Sequence, residues 1–250
     1  MQQAGLKIAD IPRLKRRTED YLGFVEIHIE QGPVLNELDI PLGVVTSING
    51  SVRFVGEISG MASHAGTTPM DRRRDAATAV AELALYVEKR ALRVAETCVG
   101  TVGQLHVPNG SVNVVPGRCQ FSLDLRATTN TARDALMQDV LAELQAICER
   151  RGLHYTLEET MRASAAPSHP DWQTRWENAV KALGVPLFQL PSGAGHDAMK
   201  LHEIMPQAML FVRGQNAGIS HNPLESTTSD DMQLAIDAFM HLLHDVAADC

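Results

Sequence analysis

The sequence predicts an α/β protein in which a ferredoxin-like (βαββαβ) domain is inserted into a second, partial α/β domain. Three observations predict it. Residues 51–163 run in the order β-α-β-β-α-β, the split βαβ arrangement. The flanking segments, 1–48 and 165–250, each hold α/β pieces too small to close a sheet alone. A stretch of small residues and prolines, SAAPSHPDW at 164–172, marks the passage out of the insertion. The expected domains are thus 1–48 with 165–250, and 49–164.

The elements follow from periodicity. In YLGFVEIHIEQG (21–32), Val25, Ile27 and Ile29 point one way and Glu26, His28 and Glu30 the other. That pattern is either a solvated edge or the floor of a site. PVLNELD reads as a short helix and IPLGVVTSI as a strand ending at Asn49-Gly50. After the β-rich SVRFVGEISGMA comes the turn SHAGTTPM, then a long helix in RRRDAATAVAELALYVEKRALRVA, free of interior Gly and Pro. Two strands follow at 98–107 and 112–127, the second bending at Pro116-Gly117. A helix over 130–152 has Asn130 or Thr131 as its cap and Gly152 as its stop. LHYTLEETMRA closes the insertion as a strand, with Glu158-Glu159 on its solvated face. Beyond it the sequence predicts a helix at 171–184, strands in PLFQL and QAMLFV, and a final amphipathic helix at 230–248.

Composition narrows the function classes. A formal net charge of -8 gives no basic face, which argues against nucleic acid as a partner. No apolar run is long enough to span a membrane, and the first twenty residues lack the apolar core of a signal peptide. Cys98, Cys119, Cys148 and Cys250 are widely spaced with no C-x-x-C pair, which suits a reducing, cytoplasmic setting.

Several polar groups sit where chemistry can occur. His28, alone, reads first as a strand histidine facing solvent. Ser192-Gly-Ala-Gly-His196-Asp197 is a Gly-rich turn that frees backbone N–H groups or admits a ligand closely. His221, in ISHNPLE, is a strand-end histidine on a loop stiffened by Pro223, a common setting for a metal ligand and equally for a surface loop. Asn113 and Arg126 offer an amide and a guanidinium to a carboxylate, against the plainer reading of Arg126 as a salt-bridge partner. His64, in SHAGTTPM, is by itself a loop histidine.

Taken together, HIEQGPVL, ASHAGTTPMDRRRDA, SVNVVPGR with FSLDLRA, SGAGHDAM and ISHNPLE, in this order, resemble the hydantoinase/carbamoylase amidase branch of the M20 metallopeptidase clan. That branch includes allantoate amidohydrolase, N-carbamoyl-L-amino-acid hydrolase and β-ureidopropionase. The resemblance runs from about Tyr21 onward. It implies a catalytic α/β domain with two divalent metal ions (Zn, or Mn, Co or Ni) and an inserted ferredoxin-like lid that forms a homodimer. It implies His28 as a ligand of one ion and His221 of the other, and His64 as the lid histidine that steadies the oxyanion, commonly in the partner subunit's site. Gln31, Arg53, Asn113 and Arg126 match substrate-binding positions, and Gly193 and His196 line the pocket. The implied substrate is a small ureido or N-carbamoyl acid, cleaved at a linear C–N bond.

In the family an H-x-D motif, a bridging aspartate and a Glu-Glu pair come before HIEQG, and this sequence has no H-x-D or Glu-Glu pair in a Gly-rich, strand-terminal setting. The expectation is therefore one protein ligand per ion, weak or no metal binding, and no appreciable hydrolysis by this chain alone. The alternative is a non-catalytic dimerisation or ligand-binding module derived from such an enzyme.

Overall fold

The structure, a computed structural model, describes residues 5, 7–15 and 17–249. Part of the N-terminal stretch and Cys250 lie outside the described residues. In chain order the first elements are β1 (Phe24–Ile29), α1 (Val34–Glu37), β2 (Leu42–Ile48), β3 (Gly50–Ser59), β4 (Ser63–His64), α2 (Ala76–Val94), β5 (Val99–Thr101), β6 (Leu105–His106) and β7 (Val114–Val115). Then follow β8 (Arg118–Ala127), α3 (Asn130–Arg151), β9 (His154–Ala163), β10 (Ala166–Pro167), α4 (Pro170–Ala182), β11 (Gln189–Ser192), α5 (Asp197–Leu201), β12 (Gln207–Val212) and α6 (Ser229–Ala248). The chain divides into two compact units: Met1–Thr46 with Ser168–Gln189 and His196–Cys250, and Ser47–Pro167 with Leu190–Gly195.

In the second unit β3 is the spine. It pairs antiparallel with β8 along its whole length and with β9 on its other side, and β5 lies beyond β8. Taken across the sheet, the fourth, first, third and second strands lie side by side, which is the ferredoxin-like order. Period-2 alternation in β8 buries Cys119, Phe121, Leu123, Leu125 and Ala127 and leaves Gln120, Ser122, Asp124 and Arg126 on the opposite face. The buried face packs on α2 through Ala79, Val80 and Leu83, and on α3 through Leu136, Val140 and Leu144.

Local hydrogen bonds decide where the helices start. The Asp75 carboxylate accepts the Thr78 N–H at 3.1 Å, so α2 begins at Ala76, after the arginine run that the sequence included in the helix. The cap of α3 is Thr129, whose Oγ1 accepts the Ala132 N–H at 3.2 Å, and neither Asn130 nor Thr131. Asn130 Oδ1 instead accepts the Ala165 N–H at 2.8 Å and an Arg133 N–H at 3.0 Å. Two expected strands are interrupted. The run 98–107 splits into β5 and β6, and 112–127 breaks at Pro116-Gly117 into β7 and β8, which join different sheets. Proline lacks the N–H that a continuous ladder would need there.

In the first unit β1 lies parallel to β12 through six paired residues, from Phe24↔Gln207 to Ile29↔Val212, and β12 is antiparallel to β2. All six residues of β12 are buried, as the strand's near-continuous apolar run implies. The core of this unit joins Leu42, Val44, Leu210 and Val212 of the sheet to Trp176 and Val180 of α4 and Leu242 of α6. Trp176 stacks on Phe239 with ring centroids 6.1 Å apart. Thr228 Oγ1 caps α6 by accepting the Asp231 N–H at 2.9 Å. The strand expected in PLFQL is displaced to Gln189–Ser192, and α5 arises in the stretch read as a Gly-rich turn.

Cys98, Cys119 and Cys148 are free and buried. Among the described residues no helix is long and apolar enough to cross a membrane. Leu125 is fully buried between the sheet and the helices. Leu125→Ala is expected to cost about 2–5 kcal/mol. Chemical denaturation followed by far-UV circular dichroism measures this, and a loss below about 1 kcal/mol would contradict the packing described.

Candidate functional site

The first unit gathers one carboxylate and two imidazoles. Glu26 and His28, two residues apart on β1, share a side of the strand. His196 stands at the N-cap position of α5, where the Ala198 N–H donates to Glu26 Oε2 at 2.9 Å. Its side chain is 1% exposed, with Nδ1 3.7 Å from Glu26 Oε1. The His28 and His196 rings meet edge to face with centroids 4.6 Å apart, and Phe211 flanks His196 at 5.6 Å. One ligand atom from each of Glu26, His28 and His196 lies within 4.8 Å of the other two.

The chemistry of this set fits a divalent ion. His28 Nδ1 lies 2.8 Å from the Ile29 carbonyl, a contact that requires the proton on Nδ1 and leaves the Nε2 lone pair for a metal. Burial, followed by the charge of His28, lowers the His196 pKa to about 4 against the opposing pull of Asp197. That imidazole is therefore neutral, the form that ligates, at physiological pH. The family resemblance implies His28 as the single protein ligand of its ion. The structure adds Glu26 and His196, the second of which had been read only as pocket lining.

His221 stands outside this group. Its loop is nonetheless tied to the end of β1. Gln31 Nε2 donates to Ser220 Oγ at 2.9 Å, Ser220 Oγ donates to Glu225 Oε1 at 2.9 Å, and the His221 N–H reaches Glu225 Oε2 at 3.3 Å. Gln31 and His221 both adopt left-handed backbone, with φ of 58° and 57°. Gly218 explains why the loop can approach so closely. Its φ is 67°, and a Cβ there would fall 1.6 Å from the Gly32 carbonyl oxygen.

The second unit carries polar groups at opposite ends of its sheet. At one end β4 pairs with β7, placing His64 opposite Val114 and next to Asn113, whose carbonyl accepts the Ala65 N–H at 2.9 Å. The exposed His64 ring folds over its own turn. Nδ1 accepts the Gly66 N–H at 3.0 Å and the Thr67 N–H at 3.2 Å, so the ring proton resides on Nε2. The Asn113 side chain accepts from Ser111 Oγ at 2.9 Å.

At the other end Arg126 and Asp124 share the open face of β8, and strand pairing sets Arg53 of β3 directly opposite Asp124. Asp124 holds Arg126 through Nε at 2.8 Å and Nη2 at 2.7 Å, and Arg53 through Nε at 2.9 Å. Arg126 Nη1 donates to the Gly193 carbonyl at 2.7 Å. One N–H on each terminal nitrogen of Arg126 is left for a ligand. Burial raises the Asp124 pKa, but the hydrogen bonds and charges of Arg126 and then Arg53 outweigh it, so the net shift is downward. The trio lines an open cleft of about 660 Å³ with Ser122, Thr160 and Gly193. Asp124 had escaped sequence reasoning, although its i, i+2 spacing to Arg126 on an alternating strand was the available signal.

Asn113 is not among the residues that line the Arg126 cleft. The nine strand residues from Arg118 to Arg126 make eight steps, about 26 Å, and Asn113 precedes Arg118 in the chain.

Comparison with known proteins agrees with the motifs. The model of "Peptidase family M20/M25/M40" matches residues 5–245. The N-carbamoyl-L-amino acid amidohydrolase of Geobacillus stearothermophilus is 39% identical, over 99% of this chain and 60% of that protein. The allantoate deiminase of Arabidopsis thaliana is 33% identical, over 97% of this chain and 51% of that protein. A hydantoinase/carbamoylase family amidase from Burkholderia multivorans superposes with a TM-score of 0.84 at 32% identity, covering 87% of this chain and 53% of that one. The crystal structure of AtUAH in complex with glyoxylate gives 0.80 at 29% identity, covering 98% and 58%. The chain thus spans little more than half the length of these relatives, and with a family match across nearly all of its own residues it belongs to the M20/M25/M40 peptidase family.

Proposed function

We propose that this chain serves the metal-dependent hydrolysis of a linear C–N bond in a small N-carbamoyl or ureido acid, of the N-carbamoyl-L-amino acid or allantoate type. The observation that carries the acid specificity is the Arg126 guanidinium, held by Asp124 with two N–H groups left over, in a cleft of small-molecule size. The relatives named as N-carbamoyl-L-amino acid amidohydrolase and allantoate deiminase supply the reaction class. Glyoxylate, the ligand of AtUAH, is likewise a small carboxylate.

Glu26, His28 and His196 are the residues that would hold an ion. When bound, a divalent ion supplies a Lewis acid that polarises the scissile carbonyl. His64, with its proton on Nε2, donates to the carbonyl oxygen as that oxygen gains negative charge. Arg126, aided by Arg53, anchors the substrate carboxylate, while Gln31 and Asn113 offer amide groups to its polar atoms. His221 is the candidate ligand for a second ion. Among the described residues His221 belongs to no group of three or more such donors, so Glu26, His28 and His196 are the set that fits an ion.

The separation along β8 also supports a homodimer. His64 and Asn113 of one copy lie too far from their own Arg126 to meet it on one small molecule, and a second copy would supply the missing end. The expected join is through a sheet edge and a helix of this unit, and the exposed β9 is such an edge.

Equilibrium dialysis of the purified chain against Zn²⁺ is expected to show one ion per chain. Affinity should fall at least about tenfold in Glu26→Gln, in His28→Ala and in His196→Ala. Uptake that is indifferent to all three substitutions would remove the metal assignment. Calorimetry with an N-carbamoyl-L-amino acid is expected to show saturable binding that Arg126→Ala weakens about 10- to 100-fold, with little rescue by Arg126→Lys. Unchanged affinity in Arg126→Ala would overturn the carboxylate anchor, whereas ligand binding without any metal uptake would favour a non-catalytic module.

A further inference from the structure

We infer that Arg73 is a positioning residue that fixes the tautomer and direction of the His64 imidazole by gripping the carbonyls of the turn beneath it. The inference rests on the reading of His64 as the group that faces the reacting carbonyl, although its geometry stands independently.

The four N–H groups from Ala65 to Thr68 all have partners. The Thr68 N–H closes the turn onto the His64 carbonyl at 3.1 Å, and the Ala65 N–H is held by the Asn113 carbonyl. The Gly66 and Thr67 N–H groups converge on Nδ1. Of the turn's carbonyls, Arg73 takes two, those of Ala65 and Thr68. Its Nη2 donates to Ala65 O at 2.6 Å and its Nε to Thr68 O at 3.1 Å.

The connection to the imidazole is direct. Ala65 O and the Gly66 N–H belong to the same peptide group. A guanidinium bound at the carbonyl polarises that peptide and strengthens the N–H that donates to Nδ1. One chain of hydrogen bonds therefore runs from the Arg73 cation, through a single amide, to the imidazole. With two donors aimed at Nδ1, a proton there would set N–H against N–H, so the proton stays on Nε2. Gly66 provides the room. A Cβ at that position would lie 3.2 Å from His64 Cε1 and push against the folded ring. Arg73 is half-buried and is itself set in place by its N–H, which lies 3.4 Å from the Met70 carbonyl. The spacing from His64 to Arg73 in SHAGTTPMDRR thus has a physical purpose. It returns a fork of N–H donors to the underside of the turn that the histidine occupies.

The test is the ¹⁵N spectrum of the histidine side chains in the full chain, with the His64 signals assigned by their loss in His64→Gln. The native protein and Arg72→Gln, which removes a neighbouring exposed charge, are expected to show His64 with its proton on Nε2 and Nδ1 as the unprotonated nitrogen. Arg73→Gln is expected to move the tautomer ratio toward Nδ1–H by roughly three- to tenfold, the worth of one hydrogen bond. Arg73→Lys, which keeps charge but loses the fork, should restore only part of the native ratio. Gly66→Ala should perturb the same signals without touching Arg73. If Arg73→Gln loses its circular dichroism signal, Arg73→Lys and Gly66→Ala carry the test. A native ratio and native Gly66 amide shift in the folded Arg73 variants would overturn the proposal. The spectra need neither substrate nor metal. Failure of carboxylate binding at Arg126 would therefore sink the functional reading and leave this one standing, and an unresponsive His64 would do the reverse.

Discussion

The unbroken antiparallel ladder between β3 and β8 is the constraint on which the second unit depends. Ten consecutive pairs, from Gly50↔Ala127 to Ser59↔Arg118, hold two long strands in one register. Because side chains alternate, that register sends the apolar set of β8 to the helices and its polar set to the open face. A slip of one residue would bury Asp124 and Arg126 and expose Leu123 and Leu125. The ladder also acts as a spacer. It keeps the Arg53–Asp124–Arg126 group at one end and the His64 turn near the other, so core packing and the distance between functional groups are set by the same hydrogen bonds.

In the first unit the polar groups are held by backbone that is locally unfavourable. Gln31 and His221 sit in the left-handed region, where a side chain is strained, and the hydrogen bonds through Ser220 and Glu225 offset that cost. The near approach of Gly218 to Gly32 permits it sterically. His196 is the opposite case. Its backbone is extended and ordinary, but its imidazole is withdrawn from water beside His28 and Glu26. Burial keeps that ring uncharged, and an uncharged ring next to a carboxylate is a ready ligand for a cation.

Much of this was legible in the sequence where the signal is local and periodic. The βαββαβ order, the buried strand QAMLFV and the long helices followed from apolar spacing and from the absence of interior Gly and Pro. Cap positions were less legible, because Thr129, Asn130 and Thr131 are all good caps in isolation. The choice of Thr129 depends on Asn130 being engaged by Ala165, thirty-five residues away. The site was legible as residue types but not as groupings. His28 and His196 are separated by most of the chain, and nothing in either motif says that their rings touch. The relation of Asn113 to Arg126 was illegible for a related reason. Pro116-Gly117 was read as a bend within one strand, whereas it ends one strand and starts another in a different sheet, which turns sequence proximity into distance.

The role of Asp124 follows from its charge. Two guanidiniums on one sheet face would repel each other, and each would lose solvation in the cleft. A single carboxylate between them relieves both effects and leaves the group with one net positive charge, two cations against one anion. A net charge of one would match the single carboxylate of the proposed substrate, and the hydrogen bonds to Asp124 fix the Arg126 plane. The lowered Asp124 pKa keeps this balance intact to well below neutral pH, since the carboxyl must take up a proton before the arginines are released. Replacing Asp124 with a neutral residue would raise the local charge but free the guanidiniums to rotate. The site would then attract anions more strongly at long range and hold a carboxylate less well at short range, because Coulomb attraction is non-directional whereas a bidentate pair requires the fork to be fixed in place.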